Sequence, residues 1–347
     1  MLICNFGPPL LGQSEKMSDQ AGEEMTTSLN QSSVTNQTEV NSTSNCDQAH
    51  SSAHPYLMVA YGLVFLVGLL LNGFVMKFYF CRAQQKASSS IMIYLKNLAA
   101  ADFLLCLSLP IRIARYASSS ITIRLLNCNF GAVVLYLNMY TSIMFMDYIA
   151  ANRYLKIVQP SGTHILQTVR AAHIISTVTW VLLLSVTSAF VIMSFHTQKP
   201  FNYVPVGCGR FQSGQVTLLY KIINTCSTAI FLFFLVSLVF FYYSTSRRVS
   251  LAQQRQPASS SSTKLAKSRR NMLVLVSVFC FCFVPYHLIR LPRAFLSSYC
   301  SWSNFLYYLM EVTILMSVLN VCLDPLIYFI LSKSFRTQFR LGVMSGN

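Results

Sequence analysis

The chain has 347 residues, 54% of them apolar and only 10% charged, and a mean hydropathy of +0.49. A water-soluble core cannot hide that much apolar surface, so a soluble globular domain is excluded and the bilayer is the expected solvent. The formal net charge of +16 is unevenly divided, because 25 of the 26 Lys and Arg residues lie past residue 54 while six of the ten carboxylates lie before it.

Residues 1–54 are polar, rich in Ser, Thr, Asn and Gln, and read as a disordered tail. Three glycosylation acceptors cluster there, Asn30-Gln31-Ser32, Asn36-Gln37-Thr38 and Asn41-Ser42-Thr43, which suits an extracellular segment. Met1 to Pro9 has neither a basic region nor a long apolar core, so no cleaved leader is expected, and Met17 serves equally well as a start.

Seven apolar stretches follow, near 56–80, 91–112, 128–151, 171–195, 216–244, 271–296 and 304–331. Each has roughly the 20 apolar residues that a spanning helix needs. Aromatic and β-branched residues are mixed through them without alternation, which argues against a transmembrane barrel. The expected fold is an all-α membrane protein: a seven-transmembrane helix bundle over 55–331, then a short amphipathic helix 8 and tail over 332–347. With the N-terminus outside, the inner loops hold Arg82, Lys86, Arg153, Lys156, Arg170 and a seven-cation segment from Arg247 to Arg270, and they hold no acid. That is the positive-inside pattern.

This orientation puts Cys128, at the outer end of the third helix, and Cys208 on the oxidising side, where a bridge would tie a loop over the mouth of the bundle. Cys46 and Cys300 form a second outer pair. Cys81, Cys106, Cys226, Cys280, Cys282 and Cys322 fall in or near the membrane and read as buried thiols. No Cys-x-x-Cys or His cluster points to a metal.

The four carboxylates past residue 54, Asp102, Asp147, Glu311 and Asp324, each fall inside an apolar stretch. An ionisable residue at that depth is by default a functional position facing the bundle interior or a water-filled cavity. For Asp147 a pair with Lys96, at similar depth, is expected. The competing reading is a protonated, lipid-facing carboxyl.

Asn72, Leu98-Ala99-Ala100-Ala101-Asp102, Asn152-Arg153-Tyr154, Trp180, Phe279-Cys280-Phe281-Cys282-Phe283-Val284-Pro285 and Asp324-Pro325-Leu326-Ile327-Tyr328 occur in that order. With them the chain resembles a rhodopsin-like (class A) G-protein-coupled receptor from residue 55 to about 340. Asn138-Met139-Tyr140-Thr141-Ser142-Ile143, Cys282-Phe283-Val284-Pro285-Tyr286-His287 and Asn320-Val321-Cys322-Leu323-Asp324-Pro325 look like the purinergic, nucleotide-receptor-like cluster. That cluster includes the ADP and UDP-glucose receptors, several orphans and a related lysophosphatidylserine receptor.

The resemblance implies roles. Buried Asp102 needs a cation or hydrogen-bond donors, and family geometry gathers Ser142, Asn320 and Asp324 around it as a sodium pocket. A water-filled polar cluster is the alternative. Arg153 would meet a G protein, and Tyr154 completes its motif. Asn152 stands where the family normally has an acid, and an amide supplies no compensating charge. Residues 264–271 hold no acid either, so no ionic lock forms and raised basal signalling is expected, unless apolar packing alone holds the inactive state. Pro285 kinks the sixth helix, and Phe283 sits where most of the wider family has Trp. Tyr328 and one of Tyr242 or Tyr243 would swing inward on activation.

At the outer end, Tyr136 and Tyr140 share one helix face, with His287 and Arg290 on the sixth helix. Arg124, with Arg115, Arg210, Lys221 and Arg293, adds positive field. Guanidinium groups among aromatic rings suit a phosphate or carboxylate on a flat or lipidic body. By resemblance Arg290 is the phosphate-contacting arginine, and Glu311 belongs to the seventh-helix motif. Met310, however, replaces the lysine of the ADP and UDP-glucose receptors, which disfavours nucleotides against a lipid phosphate, a small carboxylate or a peptide terminus.

The implied protein is a multi-pass plasma-membrane receptor with its N-terminus outside, passing an extracellular anionic signal, nucleotide-like or lysophospholipid-like, to inhibitory heterotrimeric G proteins. Ser259 to Thr263 suits a receptor kinase and arrestin. A peptide-activated orphan of the same cluster or a weakly coupling scavenger receptor are the alternatives. An enzyme is not expected, since no nucleophile, base or metal constellation is present; nor is a cofactor beyond sodium, nor a nucleic-acid polymer as partner. Residues 304–331 hold no lysine for a retinal. No Cys follows Cys322 to carry a palmitoyl anchor, so Phe335 and Phe339 are expected to make the membrane contact of helix 8.

Overall fold

A computed structural model describes residues 54–81, 89–118, 120–159, 164–196, 214–255, 260–296, 300–331 and 335–336. Asn30, Asn36, Asn41, Cys46, Cys208 and Arg210 lie outside them, as do the side chains of Arg293 and Cys300. Every element among the described residues is helical. Helix α1 is His54–Met76, prolonged by a π turn at Lys77–Cys81, and α2 is Ser90–Ala117. Helix α3 is Ile121–Val158 with a π turn at Asn127–Gly131. Helices α4, α5 and α6 are Val169–His196, Gly214–Arg255 and Ser260–Leu296. The last helix has two parts, α7a Cys300–Val318 and α7b Asn320–Leu331. Among the described residues, seven helices are long and apolar enough to cross a membrane. Helix is the form this apolar chain takes because hydrocarbon offers the backbone no hydrogen bonds, so each segment must satisfy its own.

Three helices differ in their limits from the sequence reading. Helices α5 and α6 run past the apolar limits, because the polar stretches that extend them are rich in good helix formers (Leu, Ala, Gln, Lys and Arg). Helix α3 begins at Ile121, so Cys128 lies inside it, in the π turn, rather than at its start. Cys128 is disulfide-bonded, whereas Cys106, Cys226, Cys280, Cys282 and Cys322 are free thiols.

Polar side chains pin the helices where apolar packing alone has no preferred register. The Asn72 amide donates to Gly68 O at 3.0 Å on its own helix and to Val321 O at 2.6 Å, fastening α1 to α7b. Trp180 Nε1 donates to Asn97 Oδ1 at 2.9 Å, fastening α4 to α2. Ser317 Oγ donates to Cys282 O at 2.9 Å, just before Pro285, where the proline ring disturbs the helical ladder. Helix α3 carries buried residues from Leu135 to Asn152 and runs through the interior. By contrast α4 and α5 expose Val178, Val181, Phe233 and Val236 on their outer faces, as lipid-facing helices do.

Two expected contacts are corrected. Asp147 forms no ion pair with Lys96: Ser237 Oγ on α5 donates to Asp147 Oδ1 at 2.5 Å, and the carboxyl is buried. The residue points between α3 and α5, so it faces neither α2 nor lipid. Phe335 is also buried, its ring 5.7, 5.1 and 6.3 Å from those of Phe74, Phe78 and Tyr79. An aromatic patch at the end of α1 takes it from the headgroups.

A Cβ at Gly68 would lie 2.9 Å from Val321 Cγ2 and 3.0 Å from Cys106 Sγ, whereas one at Gly62 would meet nothing within 4 Å. Gly68→Val is therefore expected to cost about 1–3 kcal/mol by overpacking, and Gly62→Val to be close to neutral. Thermal unfolding of the two purified variants in detergent checks the difference.

Candidate functional site

The polar residues of the bundle fall into four groups. The first joins α3 to α6. Residues four apart share a helix face, so α3 presents Tyr136 and Tyr140 together, while α6 presents Tyr286, His287 and Arg290. Arg290 Nη1 donates to the Tyr140 hydroxyl at 2.8 Å, which lies 3.1 Å from His287 Nε2, and His287 Nδ1 lies 2.8 Å from Phe283 O. A carbonyl can only accept, so Nδ1 carries the hydrogen, and in the neutral ring Nε2 accepts from Tyr140. The hydrogen bonds thus run one way, from Arg290 through Tyr140 and His287 to the backbone. Phe231 stacks on the imidazole at 3.8 Å and 4°.

Arg290 is 3% exposed, with its guanidinium 4.6 Å from the centroid of the Tyr136 ring and 5.5 Å from that of Tyr286. The negative faces of the rings and the Tyr140 hydroxyl replace water around the cation. No described carboxylate forms an ion pair with it, so an uncompensated positive charge stands at this point. Beside it a cavity of about 320 Å³ opens between α3, α4 and α5, walled by Leu137, Leu183, Phe190, Ile223 and Ile230 and reaching Tyr136, Tyr140 and Arg290. Its walls are almost wholly apolar, with a few convergent polar groups at one side, which is the usual build of a ligand pocket.

The second group joins α2 to α7a. Arg112 Nη2 lies 3.1 Å from Glu311 Oε2, Arg115 Nη2 lies 3.4 Å from Glu311 Oε1, and the Tyr116 hydroxyl donates to Oε2 at 2.6 Å. The Arg112 guanidinium stands 4.9 Å from the centroid of Tyr61, whose ring stacks on Tyr116 at 5.7 Å and 11°. Glu311 is expected from the sequence in one ligand set with Arg290, and Arg115 as field charge. The structure gives Glu311 to the arginines of α2 instead, because two guanidinium groups buried in apolar surroundings need a counter-charge. Arg112, Tyr116 and Tyr61 were missed, although the spacing 112, 115, 116 along one helix face was a signal. Arg124 is half-buried near the start of α3.

The third group is central. Asn138 Nδ2 donates to Asp102 Oδ1 at 3.0 Å and the Tyr328 hydroxyl donates to Oδ2 at 2.8 Å. Asn320 Nδ2 reaches Asn138 Oδ1 at 3.3 Å and Ser142 Oγ at 3.2 Å. Asp324 is fully buried and interacts with Asp102; among the described residues its two oxygens and Asn320 Oδ1 have no hydrogen-bond donor. The sequence-predicted set is brought together, with Asn138 as an added member. Several buried oxygens, some without a donor, beside two carboxyl groups are a set that suits a hard cation.

The fourth group lies at the opposite end. The Asn152 amide donates to Ser90 Oγ at 2.8 Å and Leu166 O at 3.4 Å, binding α3 to α2 and to the following turn. Arg153 Nη2 donates to Leu331 O at 3.3 Å, and Arg336 Nη1 donates to Phe329 O and Ile330 O at 3.0 and 2.6 Å. Two arginines therefore cap the end of α7b, where a helix carries partial negative charge. Tyr154 packs on Phe240 and Phe241, and Phe283 is fully buried against Phe279. Of the adjacent α5 tyrosines, Tyr242 packs against the core and Tyr243 faces outward.

The sequence matches the family described as 7 transmembrane receptor (rhodopsin family) over residues 71–328. It is 33% identical to purinoceptor 14 of Bos taurus over 80% of this chain and 82% of that protein. It is likewise 33% identical to G-protein coupled receptor 87 of Mus musculus, over 85% and 83% of the two chains. Probable G-protein coupled receptor 34 of Pan troglodytes is 27% identical over 81% of this chain and 73% of its own.

Glu311→Gln would leave Arg112 and Arg115 facing each other without the carboxylate. Breaking a buried pair in this way is expected to cost about 3–5 kcal/mol, seen as a lower unfolding temperature and reduced surface expression. Adding Arg112→Met to Glu311→Gln should recover part of the loss in the same two measurements.

Proposed function

The chain belongs to the rhodopsin family of seven-transmembrane receptors, and from that premise we propose that it answers an extracellular anionic amphiphile through inhibitory G proteins. It is a multi-pass plasma-membrane receptor with a heterotrimeric G protein as partner and is no enzyme. The proposed orientation has the N-terminus outside and the arginine-capped end of α7b inside.

The observation that carries the ligand reading is Arg290. Its buried guanidinium has no carboxylate partner among the described residues and stands at the side of the apolar cavity. A phosphate or carboxylate there gains charge-assisted hydrogen bonds, and an acyl chain in the cavity gains about 0.8 kcal/mol for each buried methylene. A nucleotide is the second reading, favoured by the likeness to a purinoceptor. Against it, a polar base finds few partners on walls of Leu, Ile and Phe, and Met310 offers no charge.

Asp102, Ser142, Asn320 and Asp324 would hold the proposed sodium ion, which supplies positive charge between adjacent carboxyl groups and so favours whichever conformation binds it better. At the inner end, Asn152 leaves Arg153 without a neighbouring acid, which supports elevated ligand-free signalling. Ser259 to Thr263 offers hydroxyls to a receptor kinase and, once phosphorylated, to arrestin.

Screening lysophospholipids, nucleotides and peptides with inhibition of cyclic AMP as readout tests the ligand class. A lysophospholipid should activate, with a half-maximal concentration about 10- to 100-fold higher in Arg290→Ala, matching the roughly 1.5–3 kcal/mol of a charged hydrogen bond. Activation by a low concentration of nucleotide, lost in that variant, would decide for the second reading. Asn152→Asp should lower ligand-free activity at equal surface expression; unchanged activity would leave apolar packing as the whole restraint.

A further inference from the structure

All four carboxylates among the described residues are buried in the bundle, so the described surface at the inner end carries no negative side chain. The cations there are concentrated on two helices that pack against one another, α5 and α6. The apolar part of α5 ends with Tyr242 and Tyr243, and Arg247 and Arg248 follow within about a turn, both exposed. The apolar part of α6 begins at Met272, and Lys267 and Arg270, three apart and therefore on one face, precede it, both exposed, with Arg269 half-buried between them. Tyrosines mark the membrane interface, so these side chains stand at the level of the inner-leaflet headgroups. Arg255 lies eight residues beyond Arg247, about 12 Å farther along the helix.

We infer that the paired inner ends of α5 and α6 form a docking surface for a polyphosphorylated inositol lipid of the inner leaflet, held by Arg247, Arg248, Lys267 and Arg270. Charge complementarity decides the occupant. Four exposed cations on adjacent helices, with no acid beside them, exceed what one singly charged headgroup can neutralise, whereas several phosphates on one ring match them. Arginine forks also grip phosphate oxygens in pairs, and clusters of this size directly inside a membrane helix attract such lipids. Lys77 and Arg170 sit singly on other helices and Lys156 follows Arg153 on α3, so none of the three is part of the surface. A lipid bridging α5 and α6 would resist their separation.

The inference rests on the reading that this end faces the cytoplasm, and the test separates the two. A nanodisc offers both faces the same lipids, so binding there is scored whatever the sidedness, while exposure of an N-terminal epitope on intact cells reads sidedness alone. Full-length receptor in phosphatidylcholine nanodiscs is titrated with fluorescent phosphatidylinositol 4,5-bisphosphate, or with phosphatidylserine at matched total charge, and energy transfer from a label on α6 is recorded. Several phosphates on one ring, gripped by paired donors, predict a clear preference for the bisphosphate at matched charge, and the attraction of about fivefold per basic residue sets the size of the variants' effects. That attraction predicts a loss of more than tenfold in Arg247→Gln/Arg248→Gln/Lys267→Gln/Arg270→Gln. The lighter Lys267→Gln/Arg270→Gln should fall between, and Lys77→Gln/Arg170→Gln should bind as the parent does. Equal retention of phosphatidylserine, unchanged binding in both α5–α6 variants, or equally tight binding of soluble inositol trisphosphate would overturn the proposal.

Discussion

Hydrocarbon solvates neither a charge nor an unpaired backbone group, and the architecture of this bundle follows from the need to satisfy both internally. The backbone does so by being helical throughout the described residues. The side chains do so by meeting across helices. Asp102 takes donors from α3 and α7b, Asp147 takes one from α5, and Glu311 takes two arginines and a tyrosine from α2. Each of these three carboxylates is thus a clamp between helices whose apolar flanks, facing lipid as apolar as themselves, gain little by choosing one neighbour over another.

The same constraint distinguishes the arginines. Arg112 and Arg115 share Glu311 and are neutralised inside the protein, so they fix α2 against α7a. Arg290 is solvated by tyrosine faces and one hydroxyl and keeps a charge that no described acid answers. Arg153 rests on the last carbonyl of α7b, an electrostatic partner that is weaker than an acid and confined to the final turn of that helix. Three modes of satisfying one side-chain type thus set apart a structural clamp, the proposed ligand contact and the proposed switch.

Much of this was legible in the chain. Seven apolar runs and the buried acids follow from hydropathy, and the gathering of Asp102, Ser142, Asn320 and Asp324 is what the family resemblance implies. The Tyr136, Tyr140, His287 and Arg290 set also assembles as helix periodicity implies. The partner of Asp147 was not legible, because depth in the membrane says how far along a helix a residue lies but not which way it points. Ser237, a single hydroxyl in an apolar run, carries no signal beside the conspicuous charge of Lys96. The ion pairs of Glu311 were illegible for a related reason: they answer a counter-charge demand from α2 that only the packing reveals.

The sequence by itself determined that the protein crosses a membrane seven times, where its charges must be hidden and which residues share a helix face, because hydropathy and the 3.6-residue period are local properties of the chain. Only the tertiary structure decided which buried charge answers which. It showed that Glu311 closes on Arg112 and Arg115, that Arg290 is left beside an apolar cavity, and that Phe335 turns onto α1. Those outcomes depend on the rotation and neighbours of each helix, which are set by packing among distant segments.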